Sequence, residues 1–165
     1  MKPIKIAMMS LTHGHTRKYF QTLRDSPRLE WIAASAADDV VRQRFHRAVD
    51  GVPCYASAEE MLDRHPEIEA VVLASANSEH LAQMKACAER KIHILSMKIP
   101  TFDLAEYDEM IELVDRAGLV CQIELEMHYN PVVHRLNQLA YKALEKGLPL
   151  LISDNIDVCA IQAIA

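Results

Sequence analysis

Glycine is scarce in this chain: four stand in 165 residues, Gly14, Gly51, Gly118 and Gly147. A phosphate-cradling turn usually draws on several glycines close together, so no such turn is present in its usual form. Cysteine is also sparse. Cys54, Cys87, Cys121 and Cys159 stand more than 30 positions apart and form no Cys-x-x-Cys pair. That excludes the usual zinc and dithiol motifs and reads as buried, reduced thiols of a cytosolic protein. Basic residues are outnumbered, 18 Lys and Arg against 23 Asp and Glu, for a net charge of −5. No nucleic-acid surface is expected from that balance. No apolar run reaches the roughly 18 residues of a membrane span. Met1-Lys2-Pro3-Ile4-Lys5 leads straight into an apolar strand with no signal-type segment. The expectation is therefore no membrane partner and a cytoplasmic location.

Half of the residues are apolar and a quarter are charged, enough for one domain with a real core. The pattern alternates strand and helix. Strands are predicted at Ile4–Met9, Leu29–Ser35, Val52–Tyr55, Ala70–Ala74, Ile92–Ser96 and Leu119–Ile123. Helices are predicted at Thr16–Asp25, Asp38–Val49, from Ser57 to His65, at Ser78–Arg90, at Asp103–Ala117, and from Asn130-Pro131 to Lys146. The run S-A-E-E at 57–60 reads as a capping box. Asp103 and Asn130 read as N-caps, and Gly118 as a helix end. The fifth helix is expected to face inward with Leu104, Tyr107, Ile111 and Val114, and the sixth with Leu136, Leu139, Ala140 and Ala143. Six strands alternating with helices predict an α/β fold, a doubly wound parallel sheet with helices on both faces. Ligands of such sheets sit at the carboxyl ends of the strands, where the strand order reverses.

That edge is where the unusual residues fall. The first strand ends in S-L-T-H-G-H-T at 10–16, and His13, His15, His80 and His128 all occupy predicted turns after strands. The apolar last 18 residues carry only two charges, Asp154 and Asp157. They read as the opening of something larger, to be covered by a second copy or by the sheet itself. The expected division is a domain over 1–148 and a tail over 149–165.

In this order, the motifs resemble the Gfo/Idh/MocA family of NAD(P)-dependent oxidoreductases, over about residues 3–153. Ala74-Ser-Ala-Asn-Ser-Glu-His80 is similar to the family's T-P-N-x-x-H turn. Lys91-Ile-His-Ile-Leu-Ser-Met-Lys98-Ile-Pro100 is similar to G-K-H-V-x-C-E-K-P. His128-Tyr-Asn-Pro131 is similar to R-F-x-P, which leads into the family's second domain. The resemblance implies a Rossmann-type domain, a cofactor that is NAD or NADP, and a sugar or polyol substrate. It also implies hydride transfer between that cofactor and a hydroxyl-bearing carbon, within a longer protein, while the apolar tail points to a homo-oligomer.

Four departures accompany the resemblance. Ser10, Thr12 and His15 stand where the fingerprint G-x-G-x-x-G has glycines, with Gly14 beside them. Ala36 stands near the acidic residue that holds the ribose. Asp38 and Asp39 follow, and either reaches a ribose, favouring NAD, or caps the next helix. The glutamate of E-K-P is Met97, and Ile99 is inserted before the proline. The family's substrate domain is missing, so these 165 residues alone are not expected to turn over.

The resemblance then implies the site. Lys98 is the acid–base or substrate-orienting residue, and His128 lies on the substrate side. Ser10, Thr12, His13, Gly14, His15, Asp38, Ser75, Asn77 and His80 are the cofactor-binding candidates. His80 also has a plain reading as a packed, hydrogen-bonded residue. A metal held by His13, His15, His80, Glu126 and His128 is a weaker alternative, since H-x-H alone matches no closed site, and no metal is expected. A non-catalytic nucleotide- or ligand-binding module is the alternative to the enzyme.

Overall fold

The computed structural model describes residues 2–97, 99–124 and 130–146, less the side chains of 140, 143 and 144. Lys98, residues 125–129 and the tail from 147 lie outside the described residues. The chain divides into two compact units, Met1–Glu124 and Leu125–Ala165.

The first unit is a six-stranded, wholly parallel sheet. Its strands are β1 (Ile4–Met9), β2 (Leu29–Ser35), β3 (Cys54–Tyr55), β4 (Ala70–Leu73), β5 (His93–Met97) and β6 (Cys121–Glu124). The order across the sheet is β3-β2-β1-β4-β5-β6. Five helices connect them: α1 (Thr16–Asp25), α2 (Asp39–Ala48), α3 (Ala58–Arg64), α4 (Asn77–Glu89) and α5 (Leu104–Ala117). This is a Rossmann-type arrangement, and its strand order reverses between β1 and β4. The second unit contributes α6 (Pro131–Glu145), capped by Asn130, whose Oδ1 accepts from the Val132 amide at 2.9 Å.

Two apolar layers hold the sheet. Ala7, Met9, Val71, Leu73 and Ile94 point to one face and pack with Met61 and Leu62 of α3, Met84 and Cys87 of α4, and Met110 of α5. Ile6, Met8, Val72 and Met97 point to the other and pack with Leu23 of α1 and Phe45 of α2. Alternation along every central strand, apolar on both sides, is what a parallel sheet covered by helices on both faces requires. Phe20, Trp31 and Phe45 form a three-ring cluster with centroids 5.4 to 5.5 Å apart.

Several expectations are corrected. β3 is two residues rather than four, and β6 begins at Cys121. In α5 the fully buried residue is Met110, while Leu104 is 82% exposed and Ile111 is also exposed. Leu136 and Leu139 of α6 are exposed as well. Only half of the capping box forms. Ser57 Oγ accepts from the Glu60 amide at 3.0 Å, while the Glu60 carboxylate turns to Arg64 at 3.6 Å.

Phe45→Ala removes the centre of the aromatic cluster and is expected to cost about 3–5 kcal/mol. Urea unfolding followed through the sole tryptophan, Trp31, measures it.

Candidate functional site

In a parallel sheet every strand delivers its following loop to the same edge, so β1, β2, β4 and β5 all end together. Hydrogen bonds then join those ends side by side. The Ser10 amide donates to Ser35 Oγ at the end of β2, at 3.3 Å. The His13 amide donates to the Ala74 carbonyl beyond β4, at 3.0 Å, and Thr12 Oγ1 approaches the same carbonyl at 3.4 Å. Asn77 Nδ2 donates to the Ile99 carbonyl at 2.7 Å, and His80 Nδ1 bonds the Pro100 carbonyl at 2.9 Å. The loops carrying positions 10–15, 74–80 and 99–100 therefore meet across the place where the strand order reverses.

The β1 turn keeps the shape of a glycine turn without the glycine. Ser10 has φ +59°, a left-handed conformation that most side chains avoid. Its hydroxyl is 3.1 Å from that of Thr12, a local bond that helps hold the strained residue. At Gly14, space for a Cβ is open, with nothing within 4 Å. His15 stands at the start of α1, its amide donating to His13 Nδ1 at 3.2 Å, and the two rings meet edge to face at 5.1 Å. A cavity of about 350 Å³ opens beside the turn between α1 and α2, where Arg17 and Arg44 line it.

Helix starts differ around this edge. Asp38, Ser57 and Asp103 cap α2, α3 and α5 with side-chain oxygens. α1 starts at His15 and α4 at Ala76, and neither has a side-chain cap. These two helices begin on either side of the crevice. In these first turns the Thr16 and Lys18 amides donate to the His13 and His15 carbonyls and the Glu79 amide to the Ala76 carbonyl, and the positive end of each helix dipole favours an anion. The first turn of α1 holds no acid and carries Arg17 and Lys18, cations that an unoccupied helix N-terminus disfavours. The residues present therefore fit a dinucleotide's diphosphate.

The other candidates are placed as follows. Asp38 Oδ1 caps α2, accepting from Val40 at 2.6 Å and Val41 at 3.2 Å, while Asp39 pairs with Arg42. Ser75 is buried and its hydroxyl donates to Gln83 Oε1 at 2.6 Å. His80 is 0% exposed, and burial pushes its pKa below the ordinary histidine value against the pull of the Pro100 carbonyl. A carbonyl only accepts, so the neutral ring with its proton on Nδ1 is the form that fits. Among the described residues no three potential ligands gather, and Glu126, Lys98 and His128 lie outside them. Burial drives Cys87 up to about 12 and Cys54 up to about 11, so neither thiol is a nucleophile near neutral pH.

Sequence reasoning missed Glu124. It is in register with Met97 at the end of β6, and one of its carboxylate oxygens is buried without a partner. A single acid closing a strand looks like a solvated residue in sequence, and only the register sets it beside the residue before Lys98.

Residues 5–125 match the Gfo/Idh/MocA family, an oxidoreductase family with an NAD-binding Rossmann fold. YrbE of Bacillus subtilis (strain 168), an uncharacterized oxidoreductase, is 28% identical over 127 residues, 76% of this chain and 37% of YrbE. The WlbA dehydrogenase of Chromobacterium violaceum, solved with NADH and UDP-GlcNAcA, superposes with a TM-score of 0.77 at 19% identity, over 87% of this chain and 41% of that one. The myo-inositol 2-dehydrogenase of Lactobacillus plantarum does so at 0.76 and 16% identity, over 86% and 42%. At those identities the two structures speak for the fold. The chain spans between 37% and 42% of the length of these three relatives.

Two outcomes are expected. Ser10→Ala keeps the strain and loses the hydroxyl bond, costing about 1 kcal/mol in thermal or urea unfolding, and Ser10→Gly costs less. Because the folded pKa of His80 is depressed, the unfolded chain takes up that proton first. Stability therefore falls as pH drops below the ordinary 6.5 towards the folded value. His80→Asn flattens the dependence in melting curves between pH 5 and 8, about the range in which histidine titrates.

Proposed function

This chain belongs to the Gfo/Idh/MocA oxidoreductase family, and we propose that it forms the cofactor-holding half of an enzyme acting on a sugar or polyol. The reaction is hydride transfer between a nicotinamide dinucleotide and a hydroxyl-bearing carbon. The observation that carries this reading is the pair of uncapped helices, α1 and α4, opening on either side of the β1–β4 crevice while α2, α3 and α5 of the same unit are capped.

Bound there, NAD or NADP supplies the hydride acceptor or donor. The chain's own residues do the rest. Ser10, Thr12, Gly14 and His15 shape the turn against the diphosphate. The helix dipoles of α1 and α4 offset its charge. Asp38 offers its second carboxylate oxygen to a ribose hydroxyl while the first caps α2, which tilts the choice towards NAD. His13 lines the nicotinamide side, and Ser75, Asn77 and His80 form the β4 wall. Lys98 holds or moves the proton at the substrate hydroxyl, and His128 approaches from the substrate side. Since the chain spans about two fifths of its relatives, turnover needs more than these residues. The assembled protein is a cytoplasmic homo-oligomer in this reading.

Titration of the chain with NADH and NADPH, followed by nicotinamide fluorescence, is expected to saturate. No saturable binding of either at millimolar concentration overturns the reading in favour of a non-catalytic module. Ala76→Asp gives α4 the cap it lacks, and Ala76 already has extended backbone angles, φ −70° and ψ 148°. It is expected to raise stability by about 1 kcal/mol and to weaken dinucleotide binding, by calorimetry.

A further inference from the structure

Charge is spread unevenly over this protein. The chain is acidic, at −5, yet α1 carries three Lys and Arg residues against one acid, and α2 carries three Arg against one acid. The acid of each helix is already taken. Asp25 pairs with Arg24 at 2.9 Å, and Asp39 pairs with Arg42. Arg64 and Arg90, on other helices, also have acids beside them. Arg17 and Arg44 do not: neither has an ion-pair partner among the described residues. Both line the cavity of about 350 Å³ between the two helices, Arg17 from α1 and Arg44 from α2. Phe20, Val41 and Phe45 give the same cavity an apolar floor. The two phenyl rings meet edge to face at 5.5 Å, and Trp31 packs against both at 5.4 Å.

We propose that this cavity binds a small phosphate monoester with an aromatic or aliphatic organic group. Arg17 and Arg44 hold the phosphate, and Phe20, Val41 and Phe45 take the organic group. Two guanidinium groups on one cavity, with no acid between them, repel each other until an anion enters. A carboxylate is filled by one bidentate arginine, whereas a phosphate has oxygens for two. The apolar floor then favours an ester over the free ion, because it removes the organic group from water. The volume suits a small molecule, at the lower end of the roughly 300–1,000 Å³ of ligand pockets. The site is distinct from the dinucleotide crevice. That crevice opens between β1 and β4, and the flank of α1 turned towards α2 forms the cavity. His13, Gly14 and Thr16 also line the cavity, so competition with a dinucleotide decides whether the two sites are one.

Phenyl phosphate is the probe, and the sole tryptophan, packed on both floor rings, is the reporter. Its fluorescence is expected to change saturably at millimolar phenyl phosphate, and calorimetry repeats the titration without relying on the tryptophan. Inorganic phosphate is expected to bind about tenfold more weakly, for want of the ring. Arg17→Gln and Arg44→Gln are each expected to weaken phenyl phosphate by about tenfold or more. Both side chains are exposed, so neither change threatens the fold. No saturable response to phenyl phosphate overturns the proposal, as does unchanged affinity in both arginine variants or equal binding of inorganic phosphate. Displacement of phenyl phosphate by NADH or NADPH overturns it too, since the cavity then belongs to the dinucleotide site. The phenyl phosphate titration contains no dinucleotide. A chain that binds no dinucleotide therefore fails the proposed function and leaves this result standing.

Discussion

A parallel sheet sends every strand end to one edge, and that edge has no ladder of its own to hold it. Here the edge is held by donors that reach sideways from one loop to the next: Ser10 to Ser35, His13 to Ala74, Asn77 to Ile99, His80 to Pro100. The acceptors in the last three are backbone carbonyls, which otherwise remain as unpaired polar groups beyond the ends of the strands. The same bonds that satisfy them bring the β1, β4 and β5 loops into one wall. The positions of Ser10, His13, Asn77 and His80 at this edge follow from that wall.

The edge also divides the labour among helix starts. Three helices of the sheet unit, α2, α3 and α5, open on a side-chain oxygen, which is the stable choice. The two that flank the crevice do without, and forgo roughly 1 kcal/mol apiece that a good cap contributes. A glycine-poor turn fits the same logic. Ser10 takes up the left-handed conformation at a cost in strain, and the hydroxyl pair with Thr12 offsets part of it. The backbone path is kept although the residues that usually allow it are gone.

Much of the architecture was legible in the chain. The apolar run A-V-V-L-A at 70–74, the caps Ser57, Asp103 and Asn130, and the helix stop at Gly118, where φ is +66°, all have local causes that sequence shows directly. The inward face of α5 was not legible. Apolar residues at 104, 107, 110, 111, 113 and 114 draw overlapping stripes on one helix, and only its anchoring by Thr101 and Asp103 turns Met110 to the sheet. In the site, the turn at 10–16 and the residues after β4 could be located from strand order alone. Their bonding could not, because a backbone carbonyl carries no residue signature. Asn77 and His80 read as cofactor contacts in the chain, and in the fold their donors meet the peptide groups that follow Lys98. Glu124 was invisible until register set it beside Met97.

The central claim is that the uncapped starts of α1 and α4 face one diphosphate. Backbone amide spectra recorded during addition of NADH test it most directly. The account predicts saturable shifts concentrated at Gly14, Arg17, Asn77 and Ser78, with the capped starts of α2, α3 and α5 left still. Shifts absent from both uncapped turns, or gathered on another face of the sheet, would contradict it.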